Sequence, residues 1–442
     1  MNARVLFLAV FSFFAVCSAI SAVDLDVQHA LVVYDPKLND LNDTETVSTE
    51  VNQLLNNLND NYKVTLKTYD DEDIKLFFDD ALRYDHLVLL PSSKKGIAAK
   101  SGLSQHQLLD YINGNGNILV VGGVSAVLPD AIRVFLNEIG IYPSPKNFKL
   151  TDHFHSTPEG KVELDSTTNL IPNRIVKTLS VKEYEGSAAL VNNNEHIFPI
   201  IKGSPTSFTA KSAVEAIEQD ATWTFGEQGF LAVGFQALNN ARLAWVGSEA
   251  LLAEAGLYKW TFQQQNVLKL QFVEHFKEDT PLDINPTLYR IKDQSIYVIG
   301  VSELVDGKWV PYEVLEEEDQ LQLAFKMLDP YQRLNLLPLG FVSSTKESEQ
   351  LDAFAYFANF TVPDHHGMFT FELDYKRTGL SYLSDAKIVT VRHLANDEFK
   401  RSWDITNSWL YVASAFLVAV AWFLFVVNYI YVSKTDLKKK NI

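Results

Sequence analysis

Two histidine pairs are the residues whose types and spacing come closest to metal chemistry. The segment Asp-His-Phe-His at 152–155 would place two imidazoles on one face of a strand, and His365 and His366 are adjacent. Zinc sites use histidine, cysteine and carboxylate ligands, but neither pair has the His-Glu-x-x-His spacing or a cysteine partner. A loop or surface role is the ordinary alternative. We therefore predict no metal site and no cofactor.

Nucleophilic chemistry has equally little support in the sequence. Cys17 is the only cysteine, and it lies in a segment that we expect to be removed, so the mature chain has neither a thiolate nor a disulfide. There is no P-loop and no Gly-x-Ser-x-Gly elbow, and the glycines at 122–123 lack the third glycine of a dinucleotide fingerprint. Acidic residues are abundant, but no motif selects a pair for glycosidase chemistry. We assign no catalytic residue.

The elements that would carry any site alternate between strands and helices in the first half of the chain. Short apolar, β-branched runs at 30–34, 64–69, 86–90 and 117–121 are separated by amphipathic stretches with helical spacing. Such runs are typical of strands buried on both faces of a parallel sheet. We predict an α/β domain at 23–277 with a doubly wound, mostly parallel sheet of amidotransferase-like type.

The later sequence changes character. Runs at 229–234 and 242–247 around Asn239 and Asn240 predict a hairpin that closes the first domain. Residues 251–276 have helical spacing, and the acidic segment 278–281 predicts a linker. Strand-like runs then dominate. We predict a β-sandwich domain at 285–395.

The C-terminal segment predicts a membrane anchor. The uncharged, mostly apolar run at 407–432 exceeds the roughly 20 residues that a helix needs to cross a bilayer. Four lysines follow in the tail at 433–442, so the positive-inside bias places the tail in the cytosol and the bulk of the chain in the lumen. Lys439 and Lys440 match the dilysine signal that returns type I proteins to the endoplasmic reticulum (ER). We predict a single-pass type I protein of the ER membrane.

The remaining features agree with a luminal protein. Residues 1–22 have the basic start, apolar core and small residues of a cleaved signal peptide. Asn42 and Asn359 each begin an Asn-x-Thr triplet and could carry N-glycans. The formal net charge of -17 argues against nucleic acid as a partner. Ala415 and Ala419 have the small-xxx-small spacing that permits close helix packing in lipid, although an ordinary lipid-facing anchor is as good a reading.

Three blocks of this sequence carry a resemblance. Residues 133–146, residues 228–248, and residues 392–398 with 401–403 resemble the oligosaccharyltransferase 48 kDa subunit family. Together with the signal peptide, the single anchor and the dilysine end, the similarity runs over essentially the whole chain and is strongest to fungal members.

The resemblance implies a role in the complex that transfers a preassembled glycan from dolichyl diphosphate to asparagine in Asn-x-Ser/Thr. In that family a multi-spanning subunit is catalytic, and the 48 kDa subunit is an essential luminal scaffold that has been discussed as a contact for the lipid-linked oligosaccharide. The implied partners include that catalytic subunit, a ribophorin II-type subunit and a small membrane subunit of the DAD type.

Two other functions stay open from the residues alone. An ER-resident glycan-binding or cargo receptor would need an autonomous glycan site. A luminal hydrolase would need two carboxylates at catalytic distance. Binding of oligosaccharide without partners, or turnover by the purified chain, would distinguish these functions from a scaffold.

Overall fold

A computed structural model describes residues 28–39, 41, 47–79, 81–98, 101–124, 126–211, 222–305, 307–314, 319–346, 349–399 and 407–431. The helices in chain order are α1 Thr49–Asn61, α2 Gln105–Asn113, α3 Asp130–Ile139, α4 Ala255–Thr261 and α5 Ser408–Ile430. Short 3-10 turns lie at Gly226–Gln228 and Glu249–Ala253.

The strands fall into two sets. Those before α4 are β1 His29–Tyr34, β2 Lys63–Thr68, β3 Phe77–Phe78, β4 Ala81–Leu82, β5 His86–Leu89, β6 Asn117–Val121, β7 Ile141–Pro143, β8 Lys149–Thr151, β9 Val162–Glu163, β10 Glu183–Tyr184, β11 Ala189–Val191, β12 Ile197–Lys202, β13 Phe208–Ala210, β14 Thr222–Phe225, β15 Phe230–Gln236 and β16 Arg242–Val246. Those after it are β17 Val267–Lys277, β18 Leu288–Arg290, β19 Gln294–Val305, β20 Lys308–Pro311, β21 Gln322–Lys326, β22 Pro330–Asn335, β23 Leu337–Lys346, β24 Glu349–Thr361, β25 Gly367–Tyr375 and β26 Leu383–Arg392.

The first half is built on a nine-stranded sheet. Its main path is β2-β1-β5-β6-β16-β15-β11-β7, and β12 pairs with β15. Strands β2, β1, β5, β6 and β16 are parallel, whereas β15, β11, β7 and β12 pair antiparallel. The parallel half and the closing hairpin β15–β16 agree with the sequence prediction. The antiparallel strands between 141 and 202 were not predicted, because β7 and β11 are only three residues long and Pro199 interrupts the apolar run of β12.

Each face of this sheet has its own core. Val32 packs into a cluster with Val51, Leu54 and Leu58 of α1, and its neighbour Val33 packs into a second cluster on the other face. Successive side chains of a strand point to opposite faces, so a strand buried on both sides reads as a continuous apolar run. Helices α1 and α4 cover the first face, and α2 and α3 cover the second.

Local signals define the helix ends. Ser104 and Gln107 form a capping box at the start of α2. Helix α3 ends at Gly140, whose φ of 109° is favourable only for glycine. The helical spacing of the sequence predicts helices at 104–112 and 129–139, within one residue of the observed ends of α2 and α3.

The second half consists of two five-stranded sheets. One has the order β17-β19-β24-β23 with β20 paired to β19, and the other has the order β18-β26-β25-β21-β22. Side chains from both sheets form a single core, in which the rings of Tyr297 and Phe371 stack with centroids 5.6 Å apart. Stacked aromatic pairs of this kind stabilise a core beyond the area that they bury.

The predicted helix at 251–276 is wrong beyond Thr261. Asn266 adopts a left-handed conformation with φ of 56°, and β17 follows it and pairs with β19 along its length. Pairing with a distant strand overrides the local helical spacing of residues 267–276. The sheets of the second half therefore begin at Val267, before the acidic segment that was predicted to be the linker.

Helix α5 is 23 residues long, and its length and apolar composition suffice to cross a membrane. Its side chains contact little else in the chain, and large apolar residues such as Trp422 and Phe425 are about two-thirds exposed. An uncovered apolar helix of this length is typical of a transmembrane segment.

Candidate functional site

The carboxyl edge of the parallel sheet is where doubly wound folds usually bind ligands. Here Asp35, directly after β1, fills the crevice between β1 and β5. Its Oδ2 accepts hydrogen bonds from the Ser93 backbone N–H at 2.8 Å and from both Ser92 Oγ and Ser93 Oγ. Burial raises the pKa of Asp35, but these hydrogen bonds and that from the Lys37 N–H outweigh it, so the pKa is lowered. Asp35 joins two strand ends and is not poised as a base.

A cavity of about 260 Å³ opens beside this crevice, at the end of β6. The glycines at 122–123 form its floor, and Lys95, Arg133 and Lys146 line it. Arg133 donates from Nη2 to the carbonyl oxygen of Pro143 at 3.0 Å, and none of the three cations forms an ion pair with a described carboxylate. Three cations without an ion pair to a described carboxylate suit an anionic group.

The histidine pairs do not assemble a metal centre. Asp152 is fully buried and accepts hydrogen bonds from the N–H groups of Phe154 and His155 and from Thr206 Oγ1. His155 Nδ1 lies 3.3 Å from Asp152 Oδ2, so the pair closes a local turn. The rings of His366 and His393 lie 4.0 Å apart. Within the described ranges no group of three or more His, Cys, Asp or Glu side chains could hold a metal.

A buried polar site lies where the two halves meet, around Arg242 at the start of β16. Its guanidinium is fully buried and donates to the carbonyl oxygens of Trp260, Gln265 and Asn266 at 2.7 to 2.9 Å. It also donates to Ser381 Oγ at 3.0 Å. Burial lowers the pKa of Arg242 to about 9, so it stays charged at neutral pH. Fixed carbonyl dipoles replace the carboxylate that a buried arginine usually has.

The loop between β25 and β26 supplies the other side of this junction. Gln236 Nε2 donates to the Leu380 carbonyl at 2.7 Å, and Trp260 Nε1 donates to the Gly379 carbonyl at 2.9 Å. The Asn240 side chain accepts from the Tyr382 N–H at 2.6 Å and donates to the Tyr382 carbonyl at 3.1 Å. These bonds cross between the halves in a buried setting, where losing a partner is costly. They hold the two halves in one relative position.

An ion cluster fastens the segment that leads towards α5. Arg392 makes a two-point contact with the Glu398 carboxylate, 2.8 Å on each side, and Arg290 Nη1 lies 3.3 Å from the same group. Hydrogen bonds from Arg392 and then from the Ala395 N–H lower the pKa of Glu398 to about 2. The segment 392–398 is therefore tied back onto the second half of the chain.

The predicted modification and packing residues are only partly within the described residues. Asn359 lies in β24 with its side chain exposed, while its neighbour Phe360 is buried. Ala415 and Ala419 are exposed on α5. Asn42, Lys439 and Lys440, the signal peptide 1–22 and the tail 433–442 lie outside the described residues.

Sequence reasoning missed the junction residues. Arg242 opens a strongly apolar run, and a single charged residue at a strand end usually indicates a solvent-exposed end. Asp319 ends an acidic run at 316–319, which by itself predicts a solvated loop, yet its carboxylate accepts from Tyr375 Oη at 2.8 Å and from Arg377 Nε at 2.7 Å. No local signal in the sequence distinguishes either residue from a surface charge.

Comparison with known proteins gives concordant matches. Residues 21–278 match the model of the OST48 N-terminal domain, and residues 274–433 match that of the OST48 middle domain. The chain is 36% identical over 97% of its length to the dolichyl-diphosphooligosaccharide–protein glycosyltransferase subunit WBP1 of Saccharomyces cerevisiae, and covers 97% of that protein. It is 30% identical over 80% of its length to the corresponding Schizosaccharomyces pombe subunit, covering 83% of it. The 48 kDa subunit of Drosophila melanogaster is 26% identical over 82% of this chain, with 84% of that subunit covered.

Proposed function

Because this chain belongs to the OST48 family and is a subunit of the oligosaccharyltransferase complex of the ER membrane, we propose that its part in that complex is non-catalytic and structural. It acts as a luminal scaffold. Another subunit transfers the preassembled glycan from dolichyl diphosphate to asparagine in Asn-x-Ser/Thr. Contact with the lipid-linked donor is a further part of this proposal.

The junction around Arg242 is the observation that carries the scaffold role. A scaffold must present its binding surfaces at fixed positions, and here a buried guanidinium and four side chain-to-backbone bonds link the two halves. Interfaces between domains of one chain otherwise allow relative motion unless they are extensive. The ion cluster at Glu398 extends this rigid body towards the membrane segment.

Two uncovered surfaces support assembly with other subunits. The edge strand β23 exposes Leu337, Leu339 and Phe341, each by more than half of its accessible area. Exposed apolar side chains on an edge strand favour association with another chain. Helix α5 likewise presents Ala415 and Ala419, where small residues allow close approach in lipid. We assign these surfaces to the multi-spanning catalytic subunit, the ribophorin II-type subunit and the DAD-type subunit.

The topology that we propose is type I, with two luminal domains, a single span at α5 and a cytosolic tail. The four lysines after the span support this orientation. The parallel strands β2, β1, β5 and β6 support an amidotransferase-like core for the first domain.

A depletion and rescue experiment tests the proposal. Depleting the chain should leave many secretory glycoproteins underglycosylated, and re-expression should restore them. The tagged full chain, isolated in mild detergent, should co-purify the other subunits but should transfer no glycan once separated from them. Normal glycosylation after depletion, or transfer by the separated chain, would overturn the non-catalytic scaffold role.

A further inference from the structure

A second cleft lies between the two halves of the chain. Its volume is about 830 Å³, within the range of about 300–1,000 Å³ that is usual for ligand sites. One wall comes from the end of α1, the loop 174–177 and the turn 263–266 after α4, and the other comes from the hairpin β19–β20. The junction at Arg242 and its neighbouring hydrogen bonds join the two halves that form the cleft.

Carboxamide side chains dominate one wall, in the turn 263–266. All four side-chain NH₂ groups of this Gln-Gln-Gln-Asn run donate to protein acceptors, at 2.8 to 3.4 Å. No described residue donates to their four amide oxygens. Gln263 and Asn266 also hold left-handed φ angles of 57° and 56°. The turn is therefore a strained, preorganised row of hydrogen-bond acceptors.

Cationic donors complement these acceptors. Arg174, Lys177 and Lys259 line the cleft, and none of them forms an ion pair with a described carboxylate. Glu303 is the acidic residue among the described lining residues, and its charge interacts with those of Arg174 and Lys177. Donors and acceptors in one cleft together match hydroxyl groups, each of which donates one hydrogen bond and accepts others. The amide oxygens and Glu303 oppose a purely anionic ligand.

Aromatic surface completes the lining. Trp309, in β20, and Tyr62, which follows α1, both line the cleft. Tyr62 Oη is held by a hydrogen bond to the Phe262 carbonyl at 3.1 Å. Lys269 Nζ lies 5.4 Å from the centre of the Trp309 ring. Tyrosine and tryptophan combine an apolar face with a polar edge, as a sugar ring also does.

We propose that this cleft binds a neutral oligosaccharide, with a sugar ring on Trp309 and its hydroxyls bonded to the amide row and the cations. The inference rests on the proposed function only for the source of the glycan. The chemistry by which the cleft would recognise a glycan follows from its lining residues. The glycan could belong to the lipid-linked donor or to a glycoprotein of the same complex.

Binding to the full chain in detergent tests the site. The probe is a fluorescent oligosaccharide of mannose and N-acetylglucosamine, with inorganic pyrophosphate as competitor. The wild-type chain should bind it saturably, Trp309→Ala should weaken binding at least tenfold, and Trp309→Phe should retain most of it. Phe154→Ala removes an exposed ring outside the cleft and should bind like wild type.

Several outcomes would overturn the proposal. They are an absence of saturable binding by the wild-type chain, equal affinity in Trp309→Ala, and displacement of the probe by pyrophosphate at equal concentration. If Trp309→Ala lowers the melting temperature, its weaker binding could reflect misfolding, and the affinity of Lys177→Met is measured instead. An unchanged affinity in Lys177→Met counts against the site.

The intact complex distinguishes the two sources. A donor glycan in the cleft predicts that Trp309→Ala raises the KM for the lipid-linked donor severalfold with kcat unchanged. A glycan on a neighbouring subunit predicts an unchanged KM and subunit loss on endoglycosidase treatment. If neither effect appears, the site has no role in the complex and this inference fails, while co-purification of subunits still tests the scaffold role separately.

Discussion

The Nη2 atom of Arg242 lies 3.0 Å from Ser381 Oγ, which joins residues 139 positions apart in sequence. One belongs to the central sheet of the first half and the other to a loop between two strands of the second. The same guanidinium donates to three backbone carbonyls of the intervening chain. A single buried side chain thus organises the junction and, with it, the cleft.

Replacing Arg242 with methionine should destabilise the protein strongly. Methionine fills similar space, but it leaves the Gln265 carbonyl without a donor, whereas the Trp260 and Asn266 carbonyls still accept from the Gln263 and Ser381 N–H groups. A buried group without a partner costs about 1–3 kcal/mol, so we expect the free energy of unfolding to fall by about that amount, measured by denaturation of the full chain in detergent. Arg333→Met, at an exposed position in β22, should change it by no more than about 0.5 kcal/mol. Similar denaturation midpoints for both variants would contradict a role for Arg242 in holding the junction.

His275 should make folding sensitive to mild acid. Its ring is buried, lies 2.8 Å from Tyr289 Oη through Nδ1, and stacks on Phe371. Burial, and then the charge of Lys387, lower its pKa from 6.5 to about 4. Because the unfolded chain then binds more protons, this stabilisation is complete above about pH 6.5 and is lost as the pH falls towards 4.

The wild-type chain should therefore lose about 2 kcal/mol between pH 8 and pH 5 through His275 alone. His275→Gln keeps a polar side chain and should flatten the pH dependence of unfolding by that amount. His106→Gln, at an exposed position on α2, should leave the dependence unchanged. Parallel curves for wild type and His275→Gln would show that this ring does not titrate on unfolding.

Asn359 should carry an N-glycan. Its side chain is exposed on β24, and Thr361 of the same triplet is exposed two residues later. Asn359→Gln should remove one glycan's mass on a denaturing gel, whereas Thr361→Ser keeps the triplet and should keep the glycan. If endoglycosidase shifts wild type and Asn359→Gln equally, this site is not used.

Leucine at both Ala415 and Ala419 should weaken assembly. A bulky side chain on that face would separate helices that pack closely in lipid. We expect reduced co-purification of partner subunits with normal membrane insertion. Ala413→Leu, about half a turn from Ala415, is the control. Equal recovery of partners from both variants would mean that the luminal domains alone hold the complex.

Changing Lys439 and Lys440 to serine should let unassembled protein escape to the Golgi. Partners can retain assembled protein, so the measurement is glycan trimming on the chain expressed in excess. Identical trimming of mutant and wild type would mean that these lysines act only as the positively charged flank of the membrane span.

Local patterns predicted much of this architecture from sequence. Short apolar, β-branched runs identified β1, β2, β5 and β6, and helical spacing identified the stretches that form α1, α2 and α3. Family membership and the role as a complex subunit, inferred from three sequence blocks, are confirmed by the matches along the whole chain. These features can be predicted from the sequence because each depends on residues that are neighbours in the chain.

The features that only the tertiary structure determined depend on contacts between residues that are distant in sequence. Residues 267–276 have helical spacing but form a strand, because they pair with β19 along their whole length. In the sequence Arg242 resembles a surface charge, but in the structure it is buried and bonded to Ser381 of the loop at 379–382. The amide row at 263–266 and Trp309 line one cleft only in the assembled chain. Burial and partnership are properties of the assembled chain, so a residue's identity and local spacing could not determine them.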